Sequence, residues 1–474
     1  MRCGETSVIL PVQKPFCSLL LNFFLMLIDE YTKVMVKEFT EQLCVLVKIP
    51  SVSAAGDIQP LQNVLETMGS FLAKIGFSYK IVPTKGFPCL VGTLEVDKAK
   101  PWVLVYNHLD VQPAQEPEWT SEPFVPVVKE GKVIGRGATD DKGPALTLVY
   151  AINFLKENKL SLPNMQVVYE TEEEIGSPNF GLFLEGAVKD GLLRKPDGII
   201  ISDSIFEGDF PAVDYKLRGA GQAFVSLEVA DKEVHSGIVG GVAVNPLEVL
   251  MRALISCKNI DGSISIPGWY DHIVPLTDQQ KLLTKKVAQH FDTTRFMRET
   301  GVRETLVHSP EQMLDRTWHL PTLEFHGFEG VQHVPGAIKT AIPKSATAKV
   351  TFRLVPGQDP GDLLKKFEQY LQKTHPKITV RGQGQVANLI DISHPFIQAV
   401  IPACIEGFGK EPLFVGSGGS IGAVAQFQRV WKNIPILLLS LSLLSDGYHA
   451  PNEEFQIVQA QKGCKAWASF LQKV

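Results

Sequence analysis

The sequence predicts an α/β fold, a mostly parallel-sheet domain interrupted by an inserted α+β domain of βαββαβ order. Three observations predict it. Between residues 102 and 204, continuous apolar runs alternate with helical patterns, as buried parallel strands and their crossovers require. From about residue 216 to 395, strands of alternating polar and apolar residues appear instead, the signature of antiparallel strands with one buried face. Beyond that the α/β pattern returns.

The elements follow in order. Residues 1–29 form an N-terminal extension whose apolar stretch Pro15–Ile28 (PFCSLLLNFFLMLI) is short for a bilayer span. No small-residue cleavage pattern follows it in DEYTK. Three readings stay open: an export signal or anchor, a helix packed on the body, and a start at Met26. From Glu30 to Lys48, Val34, Val36, Phe39, Leu43, Leu46 and Val47 recur at helical spacing until Pro50 ends the helix. WVLVYNHLDV reads as a buried strand, Gly143–Lys159 as a helix, MQVVYE as the next strand and Asp197–Ser204 (DGIIISDS) as another. These belong to a domain of residues 30–215 and 396–474.

In the inserted domain, residues 216–395, GQAFVSLEVA, TLEFHGF, ATAKVTFRLV and KITVRG read as strands, and NPLEVLMRALISC as a helix. In DPGDLLKKFEQYLQKT a stripe of Leu363, Leu364, Phe367, Tyr370 and Leu371 marks a second helix. Residues 261–320 form a long insertion before the second strand. The chain closes with a helix at FIQAVIPACIEGF and a strand at IPILLLSLSLL.

Composition excludes several classes. A 45% hydrophobic and 20% charged chain is a soluble globular protein, not a disordered one, and no membrane partner is expected. The net charge of −5, with scattered basic residues, leaves no footprint for nucleic acid. Cys3, Cys17, Cys44, Cys89, Cys257, Cys404 and Cys464 are odd in number, with no C-x-x-C, which argues against a disulfide framework or zinc ribbon and for the cytoplasm.

Five short pieces at or just after strand ends carry the chemistry, where an open α/β sheet places its site. NHLDVQP holds His108 and Asp110, two apart and so on one side of a strand. GRGATDDKG holds Asp140 and Asp141 before a helix. ETEEEIGS holds Glu173 and Glu174, ISDS holds Asp203, and GYHAPNE holds His449. Any one of these is ordinary as a solvated or capping group. Together, imidazoles and carboxylates without cysteine suit Zn2+ or Mn2+. Glu170 and Glu172 read as solvated or structural.

HLDVQP, GRGATDDKG and EEIGS, in that order, resemble the two-metal peptidases that include carnosinase and cytosolic nonspecific dipeptidase, with aminoacylase and glutamate carboxypeptidase relatives. The resemblance runs from about Glu38 to the C-terminus. It implies two divalent ions per subunit, His108 and Asp203 holding one, Glu174 and His449 the other, and Asp140 bridging both. Asp110 would orient His108 through its other ring nitrogen, and Glu173 would activate the metal-bridging water and return its proton to the leaving amine. A cis peptide after Asp140 is implied too. The inserted domain would act as lid and dimerisation domain of a homodimer, with His235 (VHSGIVGG) stabilising the oxyanion in the partner's site. Thr340 (IKTAIP), Arg353 (FRLVP) and Ser420 (GGSI) would hold a substrate carboxylate. One position departs: Gly416 stands where relatives of that family often carry Arg, a difference that bears on substrate preference.

The expected activity is hydrolysis of the amide bond of dipeptides. An N-acyl-amino-acid deacylase would keep every ligand. Gly418-x-Ser420-x-Gly422, followed by Asp446 and His449, also fits a serine hydrolase in chain order, although that reading leaves the acidic cluster idle. A non-catalytic binding protein would have no physical need for Glu173.

Overall fold

The computed structural model describes residues 14–331, 336 and 338–474, with side chains from Asn22 onward, and the chain forms two compact units. The first comprises residues up to Glu174, Gln398–Pro412 and Asp446–Val474; the second comprises Ile175–Ile397 and Leu413–Ser445.

In the first unit four strands lie in the order Ser78–Val82, Cys89–Leu94, Asn164–Glu170, Trp102–His108. The last two are parallel, with His108 opposite Glu170 at their carboxyl ends, and the other pairings are antiparallel. Both parallel strands are buried along their whole length, which is why their sequences are apolar without alternation. Helix Gly143–Glu157 connects them and packs against the C-terminal helix Ile457–Leu471.

The apolar N-terminal stretch is helical over Lys14–Val34, a helix longer than the periodicity alone suggested, and the following helix is Val36–Val47. Phe24 and Ile28 are buried, and the Phe24 ring stands edge-on to Phe154 at 5.8 Å. Gln461 donates to the Thr32 carbonyl at 2.8 Å. No helix among the described residues is long and apolar enough to cross a membrane. Cys44, Cys89, Cys257, Cys404 and Cys464 are free thiols; Cys3 and Cys17 lie outside the described side chains.

In the second unit the antiparallel sheet runs Thr322–Glu329, Ser345–Leu354, Gly219–Glu228, Thr379–Gly384. Gly219–Glu228 buries every other side chain, as its sequence alternation requires. Helices Pro246–Ile255 and Pro360–Leu371 close one face over a core that includes Trp269, Phe352 and Phe367. The four strands of this sheet and its two covering helices follow in the order βαββαβ. Two parallel pairs complete the unit: Gly198–Ile201 with Ile436–Leu438, and Ala212–Leu217 with Leu413–Ser417. The closing strand is thus shorter than IPILLLSLSLL. The helix Asp278–Ala288 and the turn Asp315–His319, both from the long insertion, pack on Leu413–Ser417 around Val287, Leu314, Trp318 and Val415.

Candidate metal centre

The carboxyl end of strand Trp102–His108 delivers His108 into the interior of the first unit, 1% exposed. Its Nδ1 lies 3.1 Å from the Asp110 carbonyl and 3.5 Å from Asp110 Oδ1. Both of these Asp110 oxygens are acceptors, an arrangement that suits a proton on Nδ1 and leaves Nε2 to meet a cation. Nε2 lies 3.0 Å from Asp140 Oδ1. The other Asp140 oxygen, Oδ2, lies 3.0 Å from His449 Nε2, which also approaches Glu174 Oε2 at 3.1 Å. Asp140, Glu174 and His449 each offer a ligand atom within 4.8 Å of the others.

Two acceptors at 3.0 Å repel unless they share a cation, a proton or a metal ion. An aspartate that divides its oxygens between two imidazoles therefore fits a ligand common to two ions. The donor set of imidazole and carboxylate suits borderline divalent metals. Burial raises the Asp140 carboxyl, yet the bonds from His108 and His449 together hold it well below the usual carboxylate range. Hydrogen bonds with Asp140 and Glu174 push the His449 imidazole up to about 10. The Asp140 and Glu174 side chains are 5% and 4% exposed and that of His449 55%, so the centre opens on the His449 side.

The loop carrying Asp140 begins at Gly137, whose φ of +85° favours glycine; an added Cβ there would meet Val111 Cγ1 at 2.6 Å. The peptide between Asp140 and Asp141 is cis. Asp141 turns away and accepts from Asn107 Nδ2 at 2.6 Å. Lys142, fully buried, donates to the carbonyls of Leu46 and Ile49 at the end of helix Val36–Val47, and burial pushes its amine down to about 7.

Glu173 and Glu174 open a short turn, Glu173–Ile175. Their backbone N–H groups donate to Asp110 Oδ1 and Oδ2 at 3.2 and 3.0 Å. The Asp110 carbonyl is thus nearer His108 than its carboxylate, which receives the backbone N–H groups of the two glutamates. Gln112, one further step along the same side of that segment, donates to Glu174 Oε2 at 2.7 Å. Glu170 and Glu172 are both buried: Glu170 accepts from the Tyr106 hydroxyl and Glu172 from Phe87 N at 2.8 Å. Neither is solvated.

Two groups that sequence reasoning passed over are Gln112 and Glu453. Gln112 was visible in HLDVQP as the residue at the same i, i+2 spacing as His108 and Asp110, just past the strand that ends at His108. Glu453 ends the motif GYHAPNE, but nothing in that motif tells that its carboxylate bonds a loop more than 300 positions away.

In the second unit, Asp203 follows strand Gly198–Ile201 and is partly buried. Arg353 donates from Nη1 to Ser420 Oγ at 3.3 Å. Thr340 Oγ1 lies 3.4 Å from His235 Nε2, and both residues are exposed. Arg218 donates from Nε to the Gly418 carbonyl at 3.1 Å and from Nη1 to those of Arg316 and Leu320, bracing the loop before Ser420. Gly416 is closed to any side chain, because an added Cβ would lie 2.8 Å from Trp318 Cβ and Cγ. As for a serine triad, His449 Nε2 is committed to Asp140 and Glu174, and Asp446 Oδ2 accepts from Thr139 Oγ1 at 3.2 Å.

Residues 104–473 match the family model for Peptidase family M20/M25/M40. Beta-Ala-His dipeptidase of Homo sapiens is 32% identical over 424 residues, 86% of this chain and 82% of that protein. Cys-Gly metallodipeptidase DUG1 of Saccharomyces cerevisiae is 33% identical over 400 residues, 81% of this chain and 82% of that protein. The crystal structure of human carnosine dipeptidase 1 superposes with a TM-score of 0.84 at 29% identity, covering 95% of this chain and 98% of that chain.

Proposed function

The chain belongs to peptidase family M20/M25/M40, and on that premise we propose that it is a metallodipeptidase that hydrolyses dipeptide amide bonds at the Asp140 centre with Glu173 as proton carrier. The observation that carries this is the division of Asp140 Oδ1 and Oδ2 between His108 and His449, each at 3.0 Å. We assign two divalent ions, Zn2+ or Mn2+, one to His108 and Asp203 and the other to Glu174 and His449, with Asp140 shared. When bound, such ions polarise a carbonyl and make water acidic near neutral pH.

The chain's own residues do the rest. Asp110 and Gln112 hold the Glu173–Glu174 turn, on which Glu174 serves as ligand and Glu173 as proton carrier. Glu173 takes the proton from the attacking water and delivers it to the amine as the C–N bond breaks. Arg353 and Ser420, with Thr340, receive the substrate's C-terminal carboxylate. Burial holds the Arg353 guanidinium below its ordinary value, which a desolvated fork awaiting an anion fits. That preference favours dipeptides over internal peptide bonds. The proposal extends to a homodimer in which His235 stabilises the oxyanion in the partner's site. Exposed Ile238, Val242 and Ile338 near it in sequence or across from it support a covered surface there. The five free thiols suit a reducing compartment, for which the cytoplasm is proposed.

A panel of unblocked dipeptides and acetylated amino acids, assayed with and without chelator, tests the proposal. Chelator-sensitive hydrolysis of dipeptides is expected. Hydrolysis of acetylated amino acids alone would make the chain a deacylase on the same ligands, and activity that survives chelation but not Ser420→Ala would make it a serine hydrolase.

A further inference from the structure

We propose that Glu453 is a positioning residue of the metal centre: it sets the backbone that carries Asp140 and ties it to the segment that carries His449. The inference rests on the metal reading above. Glu453 is 0% exposed and its carboxylate receives four donors. Oε2 accepts from Arg136 Nη1 at 2.8 Å and from Gly137 N at 3.0 Å; Oε1 accepts from Thr139 N at 2.9 Å and from Asp140 N at 3.1 Å. Its own carbonyl accepts from Gly135 N at 2.8 Å. Five bonds of one residue thus run along Gly135–Asp140, skipping Ala138, and the last reaches the backbone of Asp140 itself.

An inward-facing loop without regular structure must find acceptors for its N–H groups or lose them to desolvation. Here a single carboxylate supplies them to three of the loop's residues. Because Glu453 follows His449 by four residues in a tight turn, in which Ala450 N donates to the Gly447 carbonyl at 2.9 Å, the same carboxylate fixes one imidazole relative to Asp140. Thr139 Oγ1 to Asp446 Oδ2 at 3.2 Å is a second tie between the two segments. Glu453 makes no bond to a ligand side chain among the described residues, so it acts through the backbone. Its like charge beside Asp140 is offset by Arg136, which also lies over the Trp119 ring at 5.3 Å.

A glutamine has the right shape and the wrong chemistry. Its NH2 end would face two donors, whichever way the amide turned, so the loop would lose about half its acceptors. Outer-shell partners of this kind are worth about 10–100-fold in metal affinity.

The test is a Mn2+ titration of the metal-stripped full-length chain, read by calorimetry beside circular dichroism. Glu453→Gln is expected to keep the wild-type spectrum and bind Mn2+ about 10–100-fold more weakly. Glu454→Gln, whose carboxylate pairs instead with Lys132 at 2.5 Å, is expected to bind as wild type. If Glu453→Gln does not fold, Glu453→Asp carries the test, since it keeps the charge and shortens the reach; the same weakening is expected. Wild-type affinity in a folded Glu453 variant overturns the inference alone. A wild-type chain that takes up no ion overturns the metal reading with it. A purely structural role would lower the melting temperature of the stripped chain and leave the affinity unmoved, which also overturns the inference.

Discussion

Asp140 and His235 show how differently the two units hold their functional groups. Asp140 has a side chain 5% exposed, both oxygens against imidazoles, and its backbone N–H on a buried carboxylate. His235 is exposed, and among the described residues its ring meets Gly237 N at 2.9 Å and Thr340 Oγ1 at 3.4 Å. A ligand that must hold a charge in one place is fixed through its backbone, because any slack there multiplies along the side chain. An exposed group such as His235, proposed to meet a substrate or a partner copy, is left open to receive it. The Arg353–Ser420 pair lies between these extremes, partly buried yet joined by a single 3.3 Å bond.

The comparison predicts a ranking of losses. Glu173→Gln should give the largest, about 10²–10⁴-fold in kcat with metal content unchanged, measured by dipeptide turnover and elemental analysis. Asp110→Asn should follow, since it releases the Glu173–Glu174 turn; about 10–100-fold weaker metal binding is expected in a titration of the stripped chain. Mixing His235→Ala with Glu173→Gln, each inactive alone, should restore about a quarter of wild-type turnover if random re-pairing builds one intact site in half the dimers. Recovery of nothing would confine each site to one protomer. Arg353→Lys should raise KM by roughly 10-fold with kcat kept, because a point charge replaces a bidentate fork.

Proton release is the finest discrimination. His449 is held up to about 10 by Asp140 and Glu174, so at pH 7 it is protonated, and a metal must displace that proton. The sign is therefore fixed: affinity rises with pH below about 10 and falls as the solution is acidified. Calorimetry in buffers of different ionisation enthalpy should register the released proton, and its absence would place His449 outside the ligand set.

Much of this was legible in the sequence, and the reason is local. His108, Asp140, Glu174 and His449, which the structure brings together, lie in short motifs at strand ends, where spacing alone marks a side or a loop. The βαββαβ order was legible because alternation and helical stripes are also local. The role of Glu453 was not, although it ends GYHAPNE, because a carboxylate whose donors stand 313 to 317 positions away follows no spacing rule. Nor was the burial of Glu170 and Glu172, whose partners Tyr106 and Phe87 come from other strands and loops. Gly416 was noticed as a departure, but only Trp318, reaching over from the long insertion, explains why no side chain stands there.

The shared role of Asp140 is the centre of the account, and ion counting tests it most directly. Equilibrium dialysis of the stripped chain against Mn2+ should find two ions in the wild type, one in His449→Ala, and none bound tightly in Asp140→Ala. Two ions, or one at full affinity, in a folded Asp140→Ala variant would contradict it.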